Sequence, residues 1–153
     1  MVLSPDHFLY DADGVYQWSR SAQVGAWQAT ERRVREMLMD PRYTRLVLLV
    51  GVPGAGKSTW LRTGEARDAI YVDATFAIKT HRAPFILLAQ QAGKPAEAVF
   101  LDTPFEECAR RNALRSPDRM VPEITMERFR AQLQGEPPTL EEGFAKVTRV
   151  TLD

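Results

Sequence analysis

The chain holds a single cysteine, Cys108, so no disulfide can form within it. That excludes the small disulfide-stapled class and points to a reducing compartment. Cys108 is expected to pack in a helix rather than act as a thiol nucleophile. Long apolar runs are also missing, and none reaches the ~20 residues of a membrane span. Residues 1–20 carry Asp6, Asp11 and Asp13 and lack the basic start and apolar centre of a signal peptide. The expectation is a cytoplasmic protein with no membrane partner. Neither sign of charge is in excess, with 20 basic and 20 acidic residues among 153. Zero net charge excludes a broad unspecific nucleic-acid surface but leaves room for a short basic groove. Internal repeats, low-complexity runs and interdomain linkers are absent too. What remains is ordinary globular material, 44% hydrophobic and 26% charged, of a length that suits one domain.

The most informative stretch is Gly51-Val52-Pro53-Gly54-Ala55-Gly56-Lys57-Ser58-Thr59. It fits G-x-x-x-x-G-K-[ST], the phosphate-binding loop. Leu46–Val50 before it is continuous and branched, as in a strand buried on both faces. Ser58–Arg62 after it can open a helix that Gly64 ends. Gly51 and Gly56 let the backbone wrap closely around phosphate oxygens, so that successive N–H groups point inward. The helix adds its positive N-terminal end. Lys57 suits the β- and γ-phosphates of ATP, and the Ser58 hydroxyl suits Mg²⁺.

Taken in order, the chain alternates helices and strands. Asp11–Gly14 reads as a turn, with Tyr10, Tyr16 and Trp18 pinning the irregular start. Residues 21–39 read as a helix capped by Ser21, with Val24, Trp27, Val34, Met37 and Leu38 inward. Ala69–Asp73 is a short apolar strand ending in an acid, the pattern of an aspartate that helps hold Mg²⁺. A helix through Ala92 follows, in which Pro84 is tolerable only in the first turn. His81 at its start reads as solvated. Ala96–Asp102 is the next strand, with Asp102 structural at the junction, and Thr103–Glu106 forms a capping box for a helix over 104–114. Arg115 and Arg119 then lie in a loop, near 115–121, that reads as a lid over a triphosphate. The last helix carries Ile124, Met126, Phe129 and Leu133 inward, and Lys146–Thr151 alternates like an edge strand. The pattern is one α/β domain, a P-loop nucleoside-triphosphatase type with a mainly parallel sheet. Residues 1–45 would pack on a core of residues 46–153.

These segments together resemble the P-loop kinase family that includes phage and bacterial 5′-hydroxyl polynucleotide kinases and small AAA-type ATPases. The likeness covers residues 46–150. It is carried by GVPGAGKSTW at 51–60, VDAT at 72–75 with Arg82 downstream, VFLDTPFEECARRNALR at 99–115, DRMVPE at 118–123 and PPTLEEGFAKV at 137–147. The resemblance implies transfer of the γ-phosphate of ATP to a 5′-hydroxyl, with Lys57 and Ser58 on phosphate and metal. Asp73 would belong to the active-site network and Arg115 would be the lid arginine. Gly51, Pro53, Gly54, Ala55, Gly56, Thr59 and Arg119 complete the expected nucleotide contacts, Ser58 and Asp73 the Mg²⁺ contacts, and Arg82 faces the acceptor. One segment departs from the family. The strand and helix carrying S/N-x-D-x-x-R, with the general base, have no counterpart here. Asp73 is the first substitute, and Asp11 or Asp13 the second. Two other readings stay open: a small-metabolite kinase, and a nucleotide-binding or slowly hydrolysing module. Acceptor and oligomeric state are not specified.

Overall fold

A computed structural model describes residues 1–17 and 19–151; Trp18, expected to help pin the N-terminal segment, lies outside the described residues. The sheet is five-stranded and parallel throughout, in the order β1-β3-β2-β4-β5. Its strands are β1 (Val2–Leu3), β2 (Arg45–Val50), β3 (Ala69–Asp73), β4 (Ala96–Leu101) and β5 (Lys146–Val150). The helices are α1 (Arg20–Leu38), α2 (Lys57–Gly64), α3 (Lys79–Gln91), α4 (Phe105–Ala113) and α5 (Glu123–Gly135). The expected class, a single α/β domain of P-loop type, is what the chain forms. Leu46, Leu48, Leu49 and Val50 of the central strand are wholly buried, because helices cover both faces of a parallel sheet. At the edge, β5 is half exposed along its length, as its alternation requires. Among the described residues no helix is long and apolar enough to cross a membrane.

Several local expectations give way to tertiary contacts. Residues 1–19 are not wholly irregular, since Val2 and Leu3 pair with Tyr71 and Val72 as an edge strand. Two residues are too few for alternation to register. Ser19, not Ser21, caps α1, its hydroxyl accepting from the Ala22 N–H at 3.1 Å. The inward stripe is Ala26, Thr30, Val34, Met37 and Leu38, with Val24 turned to solvent. Thr30 is tolerated inside because its hydroxyl donates to the Ala26 carbonyl at 2.8 Å. Pro84 lies inside α3 rather than in its first turn. The carbonyl it leaves without a partner, that of Thr80, belongs to an exposed residue that water can satisfy. In α5 Met126 and Leu133 face inward, while Ile124 is 81% exposed. The expected turn at Asp11 does form: its carboxylate accepts from the N–H groups of Asp13 and Val15, both at 2.9 Å.

Candidate functional site

Strands β2 and β3 end side by side at their carboxyl edge, where a parallel sheet offers its ligand crevice. The loop after β2 owes its shape to α4. Gly54 has φ +85°, and a Cβ there would stand 2.6 Å from the Cys108 carbonyl oxygen. Only glycine lets the loop lie this close to that helix. Arg111 donates to the Gly54 carbonyl at 3.1 Å and is itself held by Glu107 at 2.9 Å. Thr103 donates to the Ala55 carbonyl at 2.6 Å. Thr103 is therefore a tie to the loop, not the helix cap its sequence context predicts. Gly56, at φ +98°, turns the chain into α2.

Lys57 opens α2 and folds back, its Nζ donating to the carbonyls of Gly51 at 2.6 Å and Val52 at 3.3 Å. Desolvation pushes its ammonium below the ordinary lysine range, opposed by the negative charge of Asp73. Desolvation likewise pushes the Asp73 carboxyl up, opposed by Lys57. Each group's charge thus opposes the desolvation of the other. Both line one cleft of about 920 Å³, at the upper end of the ~300–1,000 Å³ usual for small-molecule sites.

Pro53, Gly54, Gly56, Ser58, Thr59, Arg115 and Arg119 line the same cleft. Gly51 and Ala55 are buried beneath it and serve the loop's shape. A Cβ on Gly51 would meet the Leu101 carbonyl at 3.1 Å. Asp11 and Asp13, the second choice for a base, sit in the exposed turn and are not cleft-lining. Asp6 and His7 line it instead. Sequence reasoning missed them because Pro5–Phe8 forms a short 3-10 turn capped by Ser4, with no periodicity to report which side faces inward. Asp6 accepts from the Tyr16 hydroxyl at 3.2 Å and lies 3.6 Å from the Arg119 guanidinium. Burial and the Asp6 charge push the Tyr16 phenol well above its ordinary value. Arg119 also donates to the Tyr10 hydroxyl and stacks over the Tyr16 ring, 5.1 Å from its centroid. The N-terminal segment and the loop after α4 are thereby joined across the cleft.

Arg82 is the main correction. Expected at an acceptor, it is wholly buried and does not line the cleft. Its guanidinium donates to both oxygens of Glu142, at 2.7 and 3.1 Å, and to the carbonyls of Phe76 and Glu136, both at 2.8 Å. Glu142 is itself positioned by a capping box with Thr139. Phe76 has φ +49°, a left-handed conformation uncommon for a bulky side chain. Arg82 thus holds the bend by which the chain leaves Asp73. Replacing Arg82 by Met should lower unfolding free energy by about 3–5 kcal/mol, the scale of stranding one partner of a buried pair. Urea unfolding checks this, and pairing the change with Glu142→Met should recover part of the loss. Asp102 has the structural place expected of it, bound to Arg149 and away from this cleft.

With this geometry in hand, the sequence matches the family described as an AAA domain over residues 61–138, just over half of the chain. The chain belongs to that family. No curated protein matches this AAA domain. Among solved structures it is similar to AvrRxo1-ORF1:-ORF2 with ATP, at TM-score 0.51 and 13% identity, covering 77% of this chain and 57% of that one. It is also similar to AvrRxo1-ORF1:AvrRxo1-ORF2 with sulphate ions, at TM-score 0.46 and 14% identity, covering 71% and 60%. The AAA domain therefore spans less than two thirds of either chain. The first likeness, at so low an identity, concerns the fold.

Proposed function

We propose that the cleft binds ATP with Mg²⁺ and transfers the γ-phosphoryl group to a hydroxyl acceptor. The observation that carries this is the convergence of Lys57, Ser58, Asp73 and Arg115 on one cleft beside a loop locked in shape by α4. The solved structure with ATP, sharing the fold, supports the nucleotide. Mg²⁺ fits the residues present. Ser58 and Asp73 offer hard oxygen donors, and Mg²⁺ typically takes one or two protein oxygens and completes its shell with phosphate and water. The ion, when bound, supplies charge neutralisation on the β- and γ-phosphates.

The chain's own residues then have distinct tasks. The loop N–H groups and the start of α2 hold phosphate. Lys57, released from the loop carbonyls, turns to the γ-phosphate. Asp73, whose ionised form the Lys57 charge favours, orients the acceptor hydroxyl and takes its proton. Arg115, exposed on the loop after α4, swings onto the transferring group. Positioning and electrostatics do most of the catalysis. Transfer of labelled γ-phosphate from ATP to added hydroxyl compounds tests the reading, and ATP hydrolysis that no acceptor stimulates would refute it in favour of a slow ATPase module. Arg115→Lys should lower kcat by about tenfold or more while changing ATP affinity little, because lysine keeps the charge but loses the two-pronged contact. An unchanged kcat would remove Arg115 from the chemistry.

A further inference from the structure

We propose that the wall formed by Gln23, Trp27 and His81 over Phe76 is a subsite for a small acceptor with a planar ring and a hydrogen-bond-accepting edge, a carbonyl oxygen or ring nitrogen. The inference rests on the phosphotransfer reading of the same cleft and names the acceptor's class.

Gln23 and Trp27 lie four residues apart on α1, so their side chains share one face, and both line the cleft. The Trp27 ring stands 5.9 Å from the His81 imidazole with planes tilted by 31°, and 5.4 Å edge-on from Phe76. Phe76 is wholly buried and braced by Phe85 at 5.4 Å, so it is the floor, while Trp27 and His81 keep accessible surface. Such a surface favours a flat ring, which can stack on either aromatic. Gln23 supplies direction. Its Nε2 is buried yet has no hydrogen-bond partner, one of only two such side-chain atoms among the described residues. A buried donor left without a partner is unfavourable and uncommon. A ring carbonyl or ring nitrogen stacked on Trp27 would accept from it.

Charge argues for a small occupant over a nucleic-acid strand. Of the lysines and arginines lining the cleft, Lys57 and Arg111 are committed to the phosphate loop, Arg119 to Asp6 and Tyr10, and Arg115, on the loop after α4, to the transferring group in the reading above. The ring wall contributes no lysine or arginine. His81 stays neutral near pH 7, because desolvation and the adjacent Arg82 charge push its pKa down. A strand laid along this wall would find no cations for its phosphates.

The wall and the chemistry are built from one segment, since Phe76 follows Asp73 by three residues. A ring held there presents its hydroxyl on the Asp73 side. The hydroxyl oxygen attacks the γ-phosphorus as the bond to the β–γ bridging oxygen breaks. The new O–P bond forms, the hydroxyl proton passes to the Asp73 carboxylate, and ADP leaves.

The test titrates uridine, adenosine and 3-hydroxypyridine into protein saturated with a non-hydrolysable ATP analogue and Mg²⁺. Inositol is the non-planar control and a 5′-hydroxyl oligothymidylate the polymeric one. We expect a planar probe to bind, and Gln23→Leu and Trp27→Leu each to weaken it about tenfold, the size of one lost hydrogen bond or ring contact. Analogue affinity should stay within about twofold. Gln23→Leu removes the unpaired amide, so its thermal midpoint should not fall. The proposal is overturned if no planar probe binds, if inositol binds as well, if both variants keep full affinity, or if only the oligonucleotide binds. Should the analogue itself not bind, the phosphotransfer reading fails, and the same titrations on the bare protein still decide the subsite.

Discussion

Lys57→Ala is expected to abolish phosphoryl transfer, lowering turnover by about 10²–10³-fold, the scale of removing one preorganised charge from a transition state. ATP·Mg²⁺ affinity should fall as well, by about tenfold or more. Its neighbours do not replace it: Arg111 holds the Gly54 carbonyl, Arg119 is bound to Tyr10 and Asp6, and Arg115, on the loop after α4, already has its own place on the transferring group. The substitution also has a local consequence. The Nζ bonds to the Gly51 and Val52 carbonyls disappear, so the loop loses two internal ties. Thr103 and Arg111 still hold it from α4. The thermal midpoint should therefore shift by no more than a few degrees while turnover collapses. Calorimetric titration of ATP and a turnover assay on the same preparation decide the matter. Equal affinity and equal turnover would remove Lys57, and with it the phosphate-loop assignment.

Asp73→Asn is expected to leave ATP binding largely intact and to lower transfer by about 10²-fold or more, the usual scale of lost general-base help. The side chain keeps its shape, so packing at the end of β3 is preserved. What disappears is the charge that favours the protonated form of Lys57 and the oxygen that takes the proton. The pH profile gives a second readout. Burial raises the Asp73 pKa in the fold, so wild-type kcat should decline on the acid side with an inflection above the ordinary carboxylate value of about 3.9. That limb should be absent from Asp73→Asn. Stability has the opposite sign: a carboxyl whose pKa is raised in the fold favours the folded state as pH drops towards that pKa, and disfavours it above. Asp73→Asn should thus be no less stable than wild type at pH 7. A variant that is destabilised but fully active would show Asp73 to be a strand-end cap.

Much was legible without coordinates because local chemistry carries it. The phosphate-loop pattern, the apolar runs at 46–50, 69–73 and 96–101, and the glycines that end helices specify strand, turn and helix through near-neighbour effects. A parallel sheet follows from their alternation with helices. The misses have a common cause. Thr103 and Arg82 look like a local and a ligand-directed residue in sequence, yet each spends its polar atoms on a partner distant in the chain. Thr103 reaches Ala55, and Arg82 reaches Glu142 across 60 positions. Asp6 and Gln23 gave no signal, because facing a cleft depends on how a turn and a helix dock on the sheet, not on any period in the chain.

The sequence by itself determined that this chain builds an α/β domain around a phosphate-binding loop, because a glycine-rich turn between a buried strand and a helix is fixed by backbone sterics and by the residues beside it. Only the tertiary structure decided which side chains surround that loop. It placed the N-terminal Asp6 and Tyr16 beside Arg119, withdrew Arg82 into the core, and left the amide of Gln23 unpaired at an aromatic wall. The physical reason is that burial and long-range pairing are satisfied by the whole fold at once, and a polar atom's final partner is known only when every competing partner has been placed.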